Sequence, residues 1–152
     1  MKIELHPIAF VNSSRKIMED DNWGNVISEI VLTDEYTEES LQGIESFSHV
    51  EIVFYFDKVS DSEINVNARH PRNNPQFPLV GIYAQRGKNR PNKIGLCIAK
   101  IIERKGKRLI VKGLDAIDNT PILDIKPVMN EFLPTEKVCQ PQWATDLMKN
   151  YW

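Results

Sequence analysis

The feature of this sequence that most constrains its fold is a series of short runs rich in β-branched and aromatic residues. The longest run is FSHVEIVFYF over Phe47–Phe56, and residues of these types favour β-strands. The other runs are Ile3–Val11, Val26–Leu32, Leu79–Ala84, Ile94–Ile102, Leu109–Leu114 and Ile122–Ile125. Regular alternation of strands with helices, which a parallel sheet requires, is absent. The pattern therefore predicts a mainly β fold, either an antiparallel sheet or a barrel.

Two segments of the sequence are predicted to be helical. Thr37–Ile44 carries acidic residues in its first turn, where the helix dipole favours negative charge. Near the C-terminus, Trp143, Leu147 and Tyr151 recur every fourth residue, so a helix would carry all three on one face. We expect that face to dock on the sheet rather than to bind a ligand.

The length and the cysteine content indicate one intracellular domain over residues 1–152. A chain of this length buries about 68–70% of its unfolded surface, which is enough for one core. No run approaches the ~18 consecutive apolar residues of a membrane span, and the N-terminal residues carry no secretory signal. Cys97 and Cys139 form no CxxC pair, which argues against a disulfide framework and a zinc site. We expect a cytoplasmic protein without a metal.

Charge is strongly segregated along the chain, although the net charge is only −2. Residues 1–63 carry 4 Lys or Arg and 14 Asp or Glu, whereas residues 64–114 carry 12 Lys or Arg and one acidic residue, Glu103. Such asymmetry indicates a polyanionic partner. Ion pairing between the two parts of the folded chain would explain it equally well, so both interpretations stay open.

Two loops in the basic part of the chain are candidate binding segments. Residues 57–78 form a long connection in which Arg69, His70 and Arg72 adjoin a proline, and such long loops are usually functional or mobile. His70 is the histidine best placed for general-base work. Gln85–Gly95 is the second loop, and its four cations are Arg86, Lys88, Arg90 and Lys93. Guanidinium groups on a stiff loop suit phosphate or carboxylate, although an ordinary solvated loop has the same composition.

Two acidic turns are further candidates. Gly113–Pro127 contains Asp115, Asp118 and Asp124, and the residues after Asp118 predict a turn that could hold a ligand hydroxyl or ammonium. A divalent cation is the weaker alternative, since no EF-hand spacing is present. In the turn before the second strand, Trp23 could stack on a flat or cationic ligand, or simply cover the edge of the core.

The missing motifs exclude several enzyme classes. No two glycines are separated by a single residue, so the dinucleotide-binding fingerprint is absent, and the phosphate-binding GxxxxGK[ST] loop is absent as well. No GxSxG elbow and no HExxH pair occur. Cys97 lies in an apolar run, where a buried and inert thiol is the ordinary outcome.

Three strings in this order resemble the TsaA-like domain family: FSHVEIVFYF, GIYAQRGKNRPNKIGL and GLDAIDNTPILDIKP. The resemblance covers about residues 5–130, with 131–152 as a C-terminal tail or helix. It implies a small, mostly antiparallel β-barrel with one or two short helices. It also implies an S-adenosyl-L-methionine-dependent enzyme that methylates N6-threonylcarbamoyladenosine beside the anticodon of tRNA. Members typically act as homodimers with the site near the subunit interface.

The resemblance also implies roles for individual residues. The residues that would bind S-adenosyl-L-methionine are Asn22, Trp23, Gly24, Asp57, Lys58, Arg86, Leu96, Asp118, Asn119, Thr120 and Pro121. The residues that would contact tRNA phosphates are Arg69, Arg72, Lys88 and Arg90. His70 and Asp57 are the candidate proton acceptors. The first loop reads DDNWG where many members carry Pro-Arg-Gln, and this departure affects the choice of substrate more than that of cofactor.

Two alternative functions remain beside methyl transfer to tRNA. The first is a methyltransferase of the same fold that acts on another modified base or on a small molecule. The second is an RNA-binding β-barrel module without catalytic activity. The alternative methyltransferase would bind the cofactor, whereas the RNA-binding module would not. We expect neither a metal nor a membrane to be involved in any of the three functions.

Overall fold

Six of the strand-forming runs pair into one closed antiparallel barrel in the computed structural model, which describes residues 1–152. The barrel strands are β1 (Ala9–Ser13), β2 (Ile27–Leu32), β3 (His49–Tyr55), β6 (Ile94–Lys105), β7 (Arg108–Lys112) and β8 (Pro121–Pro127). Around the barrel their order is β1-β2-β7-β6-β3-β8, and β8 pairs back with β1. Two short strands, β4 (Ala68–Arg69) and β5 (Val80–Gly81), form a separate sheet. The predicted mainly β, antiparallel barrel is confirmed.

Alternating side chains fill the interior of the barrel. Strand β3 lies between β6 and β8, and its Val50, Ile52 and Phe54 are buried while the residues between them face outward. This alternation follows from the two-residue period of a strand. Leu109 and Val111 of β7 face the same core. Each such side chain contributes about 1.5–3 kcal/mol on burial, so this core is the main source of stability.

Two predicted strands differ from the observed ones. In the segment Ile3–Val11 the strand begins only at Ala9. The residues before Pro7 are exposed and pair with no other strand. Leu79–Ala84 does not enter the barrel. It contains β5 and then a 3-10 turn, Ile82–Ala84, whose first residue is buried. Because β-branched residues also suit buried turns, the composition alone did not separate these cases.

The predicted helix over Thr37–Ile44 is wrong, and the C-terminal helix is shorter than predicted. Two 3-10 turns, Glu38–Leu41 and Ile44–Ser46, replace the first helix because Gly43 between them has φ of 87°. The only α-helix, α1, spans Gln142–Leu147, and the chain then turns, so that Tyr151 lies beyond its end. No helix of the structure has the length and apolar character needed to cross a bilayer. The long loop over residues 57–78 contains two further 3-10 turns, Asp61–Glu63 and Pro71–Asn73. A last 3-10 turn, Asn130–Phe132, follows β8.

The C-terminal residues return to the loop between β1 and β2. The backbone N–H of Asn22 donates to the carbonyl of Asn150 at 2.9 Å, and that of Trp23 donates to the carbonyl of Tyr151 at 2.7 Å. A side chain at Gly24 would place its Cβ 2.6 Å from the backbone of Trp152. Glycine is therefore required at this close approach, which brings Tyr151 to one end of the barrel.

Candidate functional site

A cleft with a cavity volume of about 120 Å³ lies at one end of the barrel. Its walls come from the loop before β2, the residues after β3, the loop before β6 and the segment between β7 and β8. Because neighbouring strands of this barrel run antiparallel, these four connections emerge at the same end. The strand topology thus gathers segments that are up to about a hundred residues apart in sequence.

Aromatic side chains form the apolar part of the cleft. Phe54 and Phe56 meet edge to face, with ring centroids 5.2 Å apart, and Trp23 lines the same cleft while being almost fully buried. Gly95 on β6 makes room for these rings, since a Cβ there would lie 2.3 Å from the Phe54 ring. Phe54 is only 1% exposed and Phe56 is half-buried, so Phe56 is the ring of this group that offers an apolar surface to a ligand.

Arg15 organises the loop that carries Trp23. Its guanidinium carbon lies 3.7 Å from the centroid of the Trp23 ring, and its side chain is only 12% exposed. Its Nη atoms donate to the carbonyls of Glu19, Asp21 and Asn22 at 3.2, 2.7 and 3.1 Å. Sequence reasoning missed Arg15, because a single arginine near a strand end carries no signal of such a role.

The cations at the cleft differ in whether they have acidic partners. Lys58 Nζ lies 2.9 Å from the carboxylate of Asp57, so that pair is locally neutral. Arg86 donates to the carbonyl of Leu96 at 2.5 Å and forms no ion pair. Lys88 also lines the cleft without an acidic partner. The side chain of Leu96 itself points outward from β6 and does not line the cleft.

The predicted turn after Asp118 is present, and it holds β1 in place. The Asp118 carboxylate accepts hydrogen bonds from the Ser13 backbone N–H at 2.9 Å and from Lys16 Nζ at 3.2 Å. The Ser13 bond, then Lys16, holds the pKa of Asp118 below its ordinary value of 3.8. Asn119 adopts φ of 63°, and its N–H donates to the carbonyl of Val11 at 2.7 Å. Asp118 therefore has its acceptor capacity filled by the protein.

A second carboxylate of the same segment, Asp115, does line the cleft. Its Oδ2 accepts a hydrogen bond from the Tyr151 hydroxyl at 2.5 Å, while its Oδ1 is buried without any partner. Burial, and then the charge of Asp115, raise the pKa of the Tyr151 hydroxyl and of the Cys97 thiol. Cys97 is therefore the buried, inert thiol that the sequence indicates.

The loop over residues 57–78 is tied to the first loop. Arg72 makes a bidentate ion pair with Asp21, at 3.1 and 2.6 Å, and this bond raises the pKa of Arg72. Arg69 donates to the side chain of Asn73 at 2.8 Å. His70 Nδ1 lies 2.7 Å from the carbonyl of Phe77. These side chains do not line the cleft, although Arg72 joins their loop to the cleft's edge through Asp20 and Asp21.

Ion pairs in the fold resolve part of the charge segregation of the sequence. Five basic residues of the 64–114 segment pair with acidic residues of the first 63, namely Arg72–Asp21, Lys93–Asp61, Arg104–Glu45, Lys107–Asp34 and Arg108–Glu29. The contact between Lys93 and Asp61, 2.6 Å, raises the pKa of the lysine and lowers that of the aspartate. Arg86 and Lys88, by contrast, stay unpaired at the cleft.

The structure brings part of the predicted site together. The predicted residues that line the cleft are Trp23, Asp57, Lys58, Arg86, Lys88 and Thr120. The predicted residues that adjoin it without lining it are Asn22, Gly24, Leu96, Asp118, Asn119 and Pro121. Arg69, His70, Arg72 and Arg90 lie outside the cleft. No cluster of three or more His, Cys, Asp or Glu side chains that could hold a metal ion occurs.

Comparison with known families and proteins gives a consistent match. The tRNA-methyltransferase O N-terminal domain family matches residues 19–132. A human tRNA (adenine(37)-N6)-methyltransferase is 37% identical over 113 residues, which are 74% of this chain and 25% of that protein. An S-adenosyl-L-methionine-binding protein of Archaeoglobus fulgidus is 35% identical over 126 residues, 80% of this chain and 86% of that protein. The chain thus spans about a quarter of the human relative and most of the archaeal one.

The same match holds for solved structures. Two crystal structures of TrmO from Pseudomonas aeruginosa align with TM-scores of 0.73 and 0.71 at 24% and 23% sequence identity. The aligned parts cover 93% and 90% of this chain and 61% of each of those chains. This likeness confirms the barrel fold.

Proposed function

Because this chain belongs to the tRNA-methyltransferase O N-terminal domain family, we propose that it is an S-adenosyl-L-methionine-dependent tRNA methyltransferase. The acceptor we propose is the N6 nitrogen of N6-threonylcarbamoyladenosine beside the anticodon. The observation that carries this proposal is the cleft, in which Trp23, Phe54 and Phe56 adjoin the unpaired cations Arg86 and Lys88. An aromatic surface next to free charges suits a ligand with a flat base and an ionised end.

The residues of the cleft fit this cofactor. The Phe56 ring offers an apolar surface for the adenine, and the Arg86 guanidinium has no acidic partner with which a ligand carboxylate would compete. Asp57 and Lys58 stand on the wall of the cleft, and Thr120 is buried at its base. Asn22, Gly24 and the turn from Asp118 to Pro121 would act by holding these walls in position.

When bound, S-adenosyl-L-methionine supplies an activated methyl group, and the nitrogen that accepts it releases a proton. Asp57 lines the cleft, which makes it the first candidate for proton acceptor. His70 is the second candidate, because Nδ1–H donation to the carbonyl of Phe77 would leave Nε2 free to accept a proton. The chain's main contribution would be alignment of the two reactants, which supplies much of the catalysis in such displacements.

The RNA would lie against the basic edge of the cleft. Arg86 and Lys88 both line the cleft without an acidic partner, and Lys88 remains free for the RNA when Arg86 binds the cofactor. Arg69 and Arg90 have only neutral hydrogen-bond partners, so both can still contact phosphates. Arg72 is engaged by Asp21 and would act chiefly by fixing its loop. Phosphate contacts of this kind make the affinity for tRNA fall with salt.

We further propose that the protein acts as a homodimer in the cytoplasm. Ile94, Leu96 and Ile98 project from the outer face of β6, 37% to 44% exposed, and form an apolar stripe that a second copy would cover. The carbonyl of Leu96 also binds Arg86, so this face and the cleft are in contact. The free thiol of Cys139 on the surface suits a reducing compartment.

The proposed activity is tested with labelled S-adenosyl-L-methionine and tRNA purified with and without the threonylcarbamoyl group. Mass spectrometry of the nucleosides should show methyl transfer only to the modified tRNA. Transfer to both tRNAs, or to neither, would reject the proposed acceptor. If the protein binds tRNA but no cofactor in calorimetry, it is an RNA-binding module instead.

The dimer is tested by light scattering coupled to gel filtration. Leu96→Glu should give a monomer, whereas Phe10→Glu should leave the dimer intact, because Phe10 is exposed on β1, the strand opposite β6 in the barrel. A wild-type monomer at micromolar concentration would contradict the proposal.

A further inference from the structure

Asp115 is a carboxylate on the cleft wall to which the family resemblance assigned no role. It follows β7 and precedes the turn that starts β8. One of its oxygens, Oδ2, accepts the hydrogen bond of the Tyr151 hydroxyl. The other, Oδ1, is buried and receives no N–H or O–H hydrogen bond from the protein, and the nearest donor to the carboxylate besides Tyr151 is the weak S–H group of Cys97.

Such an atom is costly. A buried acceptor without a donor destabilises the fold by about 1–3 kcal/mol, and by more when it carries charge. Buried polar atoms that lack partners are rare in folded proteins and often mark a functional site. Asp115 differs in this respect from Asp118, whose oxygens accept from Ser13 and Lys16. Because Asp115 lines the cleft, a ligand bound there is in position to supply a stronger donor than the thiol.

The surroundings of Asp115 define the chemistry of that donor. Arg86 lines the same cleft, and its charge acts on Tyr151 and Cys97, the two groups that the charge of Asp115 also affects. A free guanidinium and an incompletely bonded carboxylate thus stand near each other without forming an ion pair. This arrangement is complementary to an α-amino acid zwitterion, which presents a carboxylate to one and an ammonium to the other.

We propose that Asp115 Oδ1 accepts a hydrogen bond from the α-ammonium group of S-adenosyl-L-methionine, while Arg86 pairs with the carboxylate of the same amino-acid part. This assignment rests on the proposed function. The sulfonium of the cofactor has no N–H, so it cannot satisfy the acceptor, whereas an ammonium has three N–H donors. Because Oδ1 is shielded from solvent and Tyr151 contacts only Oδ2, binding in this way requires a local rearrangement of the cleft wall around Asp115 when the ligand enters.

The test compares two ligands by calorimetry: S-adenosylhomocysteine, and its analogue in which hydrogen replaces the α-amino group. The variant is Asp115→Asn, which keeps the shape and an acceptor for Tyr151. The matched control is Asp124→Asn, an exposed carboxylate of β8 that contacts Lys126 and does not line the cleft. A melting temperature for each variant shows that it is folded.

Wild-type protein and the control should bind S-adenosylhomocysteine about 10- to 100-fold more tightly than the deaminated analogue, in keeping with a charge-assisted hydrogen bond. In Asp115→Asn this preference should vanish, with affinity for the analogue unchanged. If Asp115→Asn weakens both ligands equally, or neither, Asp115 does not receive the ammonium. If wild-type protein binds neither S-adenosylhomocysteine nor S-adenosyl-L-methionine, the proposed function itself is wrong.

Discussion

The two charged segments that border the cleft, the basic loop over residues 85–95 and the acidic turn over residues 113–121, use their charges in opposite ways. In the basic loop, Arg86 and Lys88 reach the cleft without acidic partners. In the acidic turn, Asp118 is bonded to the backbone of β1 and to Lys16, and only Asp115 faces the cleft. Charge in a loop indicates a binding site only when the fold leaves that charge without a partner.

The largest expected effect concerns Arg15, which ties the first loop to this end of the barrel. Arg15→Ala removes three hydrogen bonds to carbonyls and the contact with Trp23. We expect the free energy of unfolding to fall by about 2–4 kcal/mol, with a parallel loss of cofactor binding. Urea denaturation measures the first effect. The control is Lys16→Ala, since Lys16 is 72% exposed. Equal stability of the two variants would contradict the role of Arg15.

The next largest effect is expected for Arg86, on the basic side of the comparison. Arg86→Ala should lower the affinity for S-adenosyl-L-methionine about 10- to 100-fold, because it removes a charge-assisted hydrogen bond to the ligand. Calorimetry measures the affinity. Arg108→Ala is the control, because Arg108 is exposed on β7 and pairs with Glu29 outside the cleft. Matching losses in both variants would mean that net charge, not position, governs binding.

A smaller effect is expected for Lys88 on RNA binding. Lys88→Ala should reduce the slope of the logarithm of tRNA affinity against the logarithm of salt concentration by about 1, as for the loss of one phosphate contact. Filter binding over a range of salt concentrations measures this slope. Lys107→Ala is a suitable control, since Lys107 pairs with Asp34 on the hairpin turn at the other end of β7. An unchanged slope for Lys88→Ala would remove Lys88 from the RNA surface.

The smallest effect is expected for Asp118, on the acidic side. Its pKa is lowered by the Ser13 N–H and then by Lys16, so it stabilises the fold above its ordinary pKa of 3.8. This contribution disappears as the pH falls below 3.8, through the lower pKa of the folded state. Wild-type protein should therefore be more stable than Asp118→Asn at pH 6, and the difference should vanish in acid. Thermal melts at several pH values measure it. If Asp118→Asn instead loses the preference for S-adenosylhomocysteine over its deaminated analogue, Asp118 and not Asp115 receives the ammonium.

The strands were predictable because the runs of residues with high strand propensity are also the segments whose alternate side chains fill the core. The run over Phe47–Phe56 became β3, whose alternate side chains fill the core. The two-residue connection between β6 and β7 also has a local cause, since Gly106 takes φ of 57° there. The helix over Thr37–Ile44 failed, because Gly43 ends the helical path before a second turn can form.

The cleft was predictable only in part. The sequence named Asp115 as one of three aspartates in its segment, but its partner Tyr151 is 36 residues away, so the contact exists only after the chain has folded. Arg15 was missed although its partners lie in its own loop, because the spacing of 4 to 8 residues matches no regular element or motif. The resemblance assigned cofactor binding to the turn at Asp118, and in the structure Asp115 is the aspartate of this segment that lines the cleft.

The order of residues alone determined the mainly β, antiparallel class and most of the strands, because strand propensity is a local property that the chain carries before it folds. The motifs indicated the family, and through that resemblance the barrel. The pairing of charges was decided by the tertiary structure. Closing the barrel places acidic and basic segments side by side and pairs five of their cations with carboxylates. At the cleft it leaves Arg86 and Lys88 without acidic partners and one oxygen of Asp115 without an N–H or O–H donor. Which charges remain free depends on distances between segments far apart in sequence, and electrostatic interactions follow those distances.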